Sequence, residues 1–281
     1  MGVLNIVKRL TVLLAALAVV AGLAGCATTS PEARRQSALA LATPSGWQAS
    51  TLAASDFRLL ALHPAPQPTP ELAVFIEGDG LAWLDPRTPS ADPTPVEPIA
   101  LRLALAERHR LSAYLARPCQ FDAPLASGNC RVSHWTQARF SPEIIAAMDQ
   151  GLSQLKAMFG AQRLVLVGYS GGGAVAALLA ARRQDVSLLV TVAAVLDHEA
   201  WTGAQGLSPL QGSLNPADEW AALRGLRQIH FVGQQDRVAG RAAVQPFVDR
   251  FAAAERPRLI EVPAFTHTCC WAEAWQRFSP P

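Results

Sequence analysis

The chain has 281 residues, half of them hydrophobic, and carries 24 lysines and arginines against 22 aspartates and glutamates. That apolar share excludes a disordered polyampholyte, and a net charge of only +2 excludes the broad basic surface that nucleic acid requires, so no nucleic-acid partner is expected.

At the N-terminus Lys8 and Arg9 precede an apolar run from Leu10 to Ala21, which leads to Leu23-Ala24-Gly25-Cys26. This is the layout of a secretory signal, over residues 1–25. The apolar run is shorter than the roughly 20 residues a spanning helix needs. Cleavage before Cys26 leaves about 250 residues, the size of one α/β domain. Lys8 and Arg9 leave with the signal, so acidic and basic side chains are then equal in number. The four residues ending in Cys26 resemble the lipobox of bacterial lipoproteins. The resemblance implies that Cys26 is lipidated and holds the protein to a bilayer outside the cytoplasm. Ala27 resembles the sorting pattern for the periplasmic side of the outer membrane in diderm bacteria. Residues 26–45 are small and polar, with Ser30-Pro31 and Arg34-Arg35, and read as the lipidated end and its tether to a domain over 46–281.

Strands are predicted over 47–52 and 57–62, then over 72–76 after a loop with Pro64, Pro66, Pro68 and Pro70. A second proline-rich loop, 85–98, leads to a helix over 99–109 and a strand over 111–115. Ser141-Pro142-Glu143 is a strong helix start, opening an amphipathic helix over 142–159. Strands follow over 163–167, 186–193, 228–232 and 258–262, with helices over 174–181, 240–254 and 271–278. Eight strands alternating with helices predict a mainly parallel sheet covered on both faces. Residues 196–226, with Pro209, Gly212 and Pro216, form the only insertion large enough for a small cap.

Besides Cys26 there are Cys119, Cys130, Cys269 and Cys270, an even number in a chain bound for an oxidising compartment. Pairing Cys119 with Cys130 closes a local loop with Pro124, Gly128 and Asn129 and is preferred. Cys269 and Cys270 then form a vicinal bridge or remain two thiols. A zinc site from His267, Cys269 and Cys270 is the alternative, although no second cluster supplies a further ligand at familiar spacing.

Gly168-Tyr169-Ser170-Gly171-Gly172 joins the apolar strand 163–167 to the alanine-rich helix 174–181. A serine on so tight a strand-to-helix turn has its hydroxyl lifted clear of the backbone, the pattern of a nucleophile elbow. A serine hydroxyl needs a base within reach and a carboxylate to orient that base. Asp236 follows the strand 228–232 and His267 follows the strand 258–262, in the order Ser170, Asp236, His267. Asp197, at the end of the preceding strand, is the rival acid. His230 inside a strand reads as a core group, and His63, His109, His134 and His198 are weaker candidates. The developing oxyanion needs two backbone amides, and Gly171 supplies one. The loop Glu77-Gly78-Asp79-Gly80 after the third strand, by itself a flexible turn, is the candidate for the other through the amide of Asp79.

The elbow and the order of its partners resemble those of the α/β-hydrolase superfamily, in a lipoprotein member, over nearly all of 47–278. The resemblance implies an α/β-hydrolase fold and cleavage of an acyl ester through an acyl-enzyme, with no metal and no organic cofactor. Glu77 stands where many of these enzymes carry histidine. Trp83, Tyr169, Trp201 and Trp271 are candidates for an acyl pocket, although packing explains most such aromatics. The short insertion favours a small or medium acyl substrate. Two other readings stay open: a hydrolase-fold lipoprotein that binds without turnover, and a peptidase or thioesterase on the same triad.

Overall fold

The computed structural model describes residues 30–122 and 128–280. The signal segment, Cys26 and Ala27 lie outside them.

A central sheet begins with the antiparallel pair β1 (Gln48–Ala54) and β2 (Phe57–His63), and continues with β3 (Glu71–Ile76). A small hairpin, β4 (Trp83–Asp85) and β5 (Thr88–Pro89), stands apart from it. Then come β6 (Leu111–Leu115), β7 (Arg163–Tyr169), β8 (Val186–Val192), β9 (Arg227–Gly233) and β10 (Arg258–Val262). The main sheet has eight strands in the order β1-β2-β6-β3-β7-β8-β9-β10, and from β6 onward all neighbours are parallel. Parallel strands must be covered on both faces, and β3 shows why the sequence achieves this. Leu72, Val74 and Ile76 enter one core while Ala73 and Phe75 enter the other.

The first core is closed by α3 (Pro142–Met158) and α4 (Gly171–Ala180). The helix α3 starts where Ser141-Pro142-Glu143 predicts: the Ser141 hydroxyl accepts from the Ile144 amide at 3.4 Å and Glu143 lies in the first turn. Every residue of α4 is buried, which is why it is built from alanine, glycine, valine and leucine with no polar face. The second core is closed by α1 (Pro31–Ala42), α2 (Ile99–Ala106) and α7 (Trp271–Phe278). Residues 196–226 carry α5 (His198–Gln205) and a 3₁₀ segment, Pro216–Leu223.

Three elements differ from expectation. From Pro31 on, the stretch read as a tether is α1, with Ala38 and Ala42 fully buried. Ser30 caps it by accepting from the Ala33 amide at 3.1 Å. The expected helix 240–254 is instead a 3₁₀ turn, Arg241–Ala243, followed by the single turn α6 (Gln245–Val248). Pro246 has no N–H to continue a helix from the preceding turn. The helix over 99–109 stops at Ala106, because the buried Glu107 carboxylate takes the next amides in place of helix carbonyls. It accepts from the amides of Arg108 and His109 at 2.9 and 2.7 Å and from the Trp275 indole at 3.0 Å.

Candidate active site

The carboxyl ends of β3, β7, β9 and β10 lie at one edge of the sheet, and the residues after them meet there. Ser170 sits between β7 and α4 with φ 52° and ψ −125°, a strained backbone that non-glycine residues seldom adopt. The turn is as tight as the sequence implies: a Cβ on Gly172 would overlap the carbonyl oxygens of Ile76 and Glu77. His267 Nε2 lies 3.1 Å from Ser170 Oγ, and His267 Nδ1 lies 2.9 Å from Asp236 Oδ2.

The loops carrying these partners are stitched together. The amides of Gln234 and Gln235, after β9, donate to the carbonyls of Val262 and Phe265 at 3.0 and 2.9 Å. That fixes Asp236 against the His267 loop. The His267 carbonyl accepts from the Tyr169 hydroxyl and the Trp271 indole, each at 3.1 Å. Asp236 Oδ1 accepts from the amides of Val238 and Ala239 at 2.7 and 2.9 Å. Burial alone would raise the Asp236 carboxyl, but the hydrogen bond and charge of His267, with those two amides, hold it below its usual range.

Asp197 does not reach His267. It caps α5, accepting from the Ala200 amide at 3.1 Å and from Asn215 Nδ2 at 3.2 Å. His230 is fully buried against Thr191 Oγ1 at 2.9 Å, and burial pushes its pKa down to about 3, as befits a core group. His134 pairs with Glu143 at 2.9 Å and His63 with Ser50 at 2.8 Å. Cys119 and Cys130 are bonded to each other, with Cα atoms 5.7 Å apart. Cys269 and Cys270 are also joined, which takes both sulfurs out of the alternative zinc set.

Facing Ser170 is the loop Gly78-Asp79-Gly80. Among the described residues no acceptor is bonded to the amides of Asp79 or Gly171. The Asp79 carboxylate is held by two guanidinium groups, Arg117 and, at 2.5 Å, Arg139. Burial would raise this carboxyl, and the charges of Arg139 and Arg117 overcome that and hold it low. Gln120 ties the same loop down, donating from Nε2 to the Gly78 carbonyl at 2.8 Å. The Cys119–Cys130 bridge sits beside it. The sequence reading misses Arg117, Arg139 and Gln120. They lie far from Asp79 along the chain, and only the parallel pairing of β6 with β3 brings their loops together.

Glu77 is buried under this loop, accepting from the Gly78 amide at 2.9 Å, and burial pushes its carboxyl up from 4.5 to about 7. A carboxyl whose folded pKa exceeds its unfolded one stabilises the fold fully below the unfolded pKa, and that stabilisation is lost as pH rises through the folded pKa. Glu77→Gln cannot ionise and keeps an oxygen for the Gly78 amide. It is expected to match the native protein near pH 4.5 and to exceed its stability by roughly 3 kcal/mol at pH 8. Urea unfolding at the two pH values measures this; equal stability at both would remove the buried charge from the account.

No family model and no curated protein sequence matches the chain. Solved structures do. An α/β serine hydrolase without a lid from Xanthomonas campestris aligns with TM-score 0.51 at 16% identity, covering 83% of this chain and 94% of its own. An esterase from Pyrococcus furiosus gives 0.57 at 12% identity over 83% and 88%. A membrane phospholipase A described as a bacterial virulence factor gives 0.52 at 18% identity over 96% of both chains. The chain has the α/β-hydrolase fold.

As in that fold generally, the site lies outside the carboxyl ends of parallel strands. Ser170 and His267 lie in the wall of a cleft of 1190 Å³, whose lining is mostly apolar. Leu81, Trp83, Val96, Trp201, Leu207 and Val238 contribute to it. Of the four aromatics considered from the sequence, Trp83, Tyr169 and Trp201 line the cleft. Trp271 does not: it is buried in the second core and holds the His267 carbonyl instead. Within 196–226, residues 207–211 supply one wall.

Proposed function

We propose that the protein is a serine hydrolase that cleaves a carboxylic ester and is held to a bilayer by lipid on Cys26. The observation that carries the chemistry is the unbroken relay from Ser170 Oγ through His267 to Asp236, opening into an apolar cleft. Esterases and a phospholipase among the structural neighbours agree with it.

In this reading Ser170 Oγ bonds to the acyl carbon as His267 Nε2 takes its proton, and the carbonyl electron pair moves onto oxygen. The amides of Gly171 and Asp79 receive that oxyanion. The tetrahedral intermediate collapses, the acyl–oxygen bond to the alcohol breaks, and His267 returns the proton to the departing oxygen. Water repeats the sequence on the acyl-enzyme, releasing the acid and restoring Ser170. Asp236 keeps the Nδ1 proton in place and stabilises the imidazolium.

A fluorophosphonate probe tests the reading directly. The native protein is expected to be labelled at Ser170, and Ser170→Ala to be unlabelled. Absence of label on folded native protein would support binding without turnover. A panel of ester, thioester and peptide substrates of equal acyl group orders the three acyl-transfer options, with the ester expected to turn over fastest.

A further inference from the structure

Among the described residues six large hydrophobic side chains are left exposed: Trp83, Leu84, Val96, Val132, Leu207 and Val238. Four of them, Trp83, Val96, Leu207 and Val238, line the cleft that holds Ser170. Leu84 stands between two lining residues, Trp83 and Asp85. Single exposed hydrophobics are ordinary, but five gathered around one opening mark a contact surface. Trp83 and Leu84 lie on the β4–β5 hairpin, where residues 83–88 are all exposed.

The chain itself indicates what lies opposite. The first turn of α1 is bolted to the loop that forms this mouth. Arg34 is buried and paired with Asp92 at 3.0 Å, and Asp92 also accepts from the Thr94 amide at 2.8 Å. Pro95, Val96 and Glu97 follow directly in the wall of the cleft. Only three residues lie between Cys26 and Ser30, so the four Cα-to-Cα steps that join them span at most about 14 Å. A lipid on Cys26 therefore keeps the bilayer close to the side of the domain on which the cleft opens. A long flexible tether would leave the orientation free, but α1, packed on the core, shortens it.

We propose that the rim of the cleft docks on the bilayer that holds Cys26, and that the substrate is the ester of an amphiphile resident in that bilayer. This rests on the serine hydrolase reading above. The acyl chain passes from lipid into the apolar cleft without crossing water, and Trp83 and Leu84 enter the interface. Among exposed residues in and next to the lining, Asp85 and Glu97 are matched by Arg87 on the hairpin and Arg237 beside Val238, so docking depends on apolar burial and proceeds on neutral phosphatidylcholine.

The test uses the full acylated chain in phosphatidylcholine vesicles. With brominated acyl chains, native tryptophan fluorescence is expected to be quenched and Trp83→Phe to lose most of that quenching. Leu84→Glu is expected to slow turnover of a long-chain ester embedded in the vesicles about tenfold or more, the loss of one large side chain from the interface. Its fluorophosphonate labelling rate in detergent should stay native, because Leu84 does not line the cleft, and Val132→Glu, at the one exposed large hydrophobic among the described residues that neither lines the cleft nor adjoins its lining in sequence, should behave as native throughout. Undiminished quenching in Trp83→Phe, native turnover of the embedded ester by Leu84→Glu, or equal slowing by Val132→Glu overturns the proposal. So does recovery of a chain with no acyl mass on Cys26, or docking only on anionic vesicles. Failure of the native protein to take the probe at Ser170 sinks the hydrolase reading instead, while the quenching result still reports on docking.

Discussion

Ser170→Ala is expected to lower turnover of a short soluble ester by a factor of about 10³ or more with the fold intact. The methyl group fits wherever the serine Cβ stood, and the backbone strain at φ 52° is already present in the native turn. His267→Ala should lose as much, and the double variant little more, because nucleophile and base act as one unit. Asp236→Asn should fall by about 10³ to 10⁴, since an amide at that position no longer selects the Nδ1–H tautomer or balances the imidazolium. Asp197→Asn is the matched control. Asparagine caps α5 as well as aspartate does, so the substitution loses mainly the half-exposed ion pair with Arg250 at 3.6 Å and should cost less than about 1 kcal/mol of stability and leave kcat within a few-fold. Steady-state kinetics with thermal melts separates the two carboxylates. If Asp236→Asn stays active while Asp197→Asn is lost, the acid has been misassigned.

How far the sequence reveals this depends on whether a feature is local. The elbow, the order of Ser170, Asp236 and His267, and all eight sheet strands are readable because strand periodicity and a glycine-flanked serine are local patterns. The pairing of Cys119 with Cys130 is local too. Helix α1 carries an equally local start that the tether reading passes over: Ser30-Pro31-Glu32 is the same helix start as Ser141-Pro142-Glu143, with a cap hydrogen bond of the same kind. What misleads there is composition, since alanines and serines resemble a linker until a second surface buries them. The Asp79 clamp is different in kind. Arg117 and Arg139 carry no spacing relative to Asp79, and their meeting is a property of sheet order. The same holds for the tie from Tyr169 and Trp271 to the His267 carbonyl, which reassigns Trp271 from pocket to scaffold.

That clamp yields the largest expected loss of stability. Asp79 lies between Arg117 and Arg139, whose side chains are only 4% and 7% exposed, and its carboxylate is packed against Gly171, where an added Cβ would overlap Oδ1. Asp79→Asn keeps the shape but leaves two buried guanidinium groups facing each other without a counter-charge. Stranding buried charge in this way costs about 3 to 5 kcal/mol, and the lower end applies because the Asp79 side chain keeps 21% of its surface open to the cleft. For a domain of this size each kcal/mol lowers Tm by about 2 to 4 °C, so a fall of roughly 6 to 12 °C is expected. The pH dependence should change with it. The Asp79 carboxyl is held below its unfolded value, so its contribution is present above about pH 4 and is lost as pH falls through the lowered folded pKa. Asp79→Asn should therefore be most impaired at neutral pH, with the gap to the native protein narrowing in acid. Melts by circular dichroism from pH 7 downward measure both effects. A variant that melts within 2 °C of native at pH 7, or a gap that widens in acid, would show that the two arginines are satisfied without the carboxylate. The loop opposite Ser170 would then owe its position to Gln120 and the Cys119–Cys130 bridge.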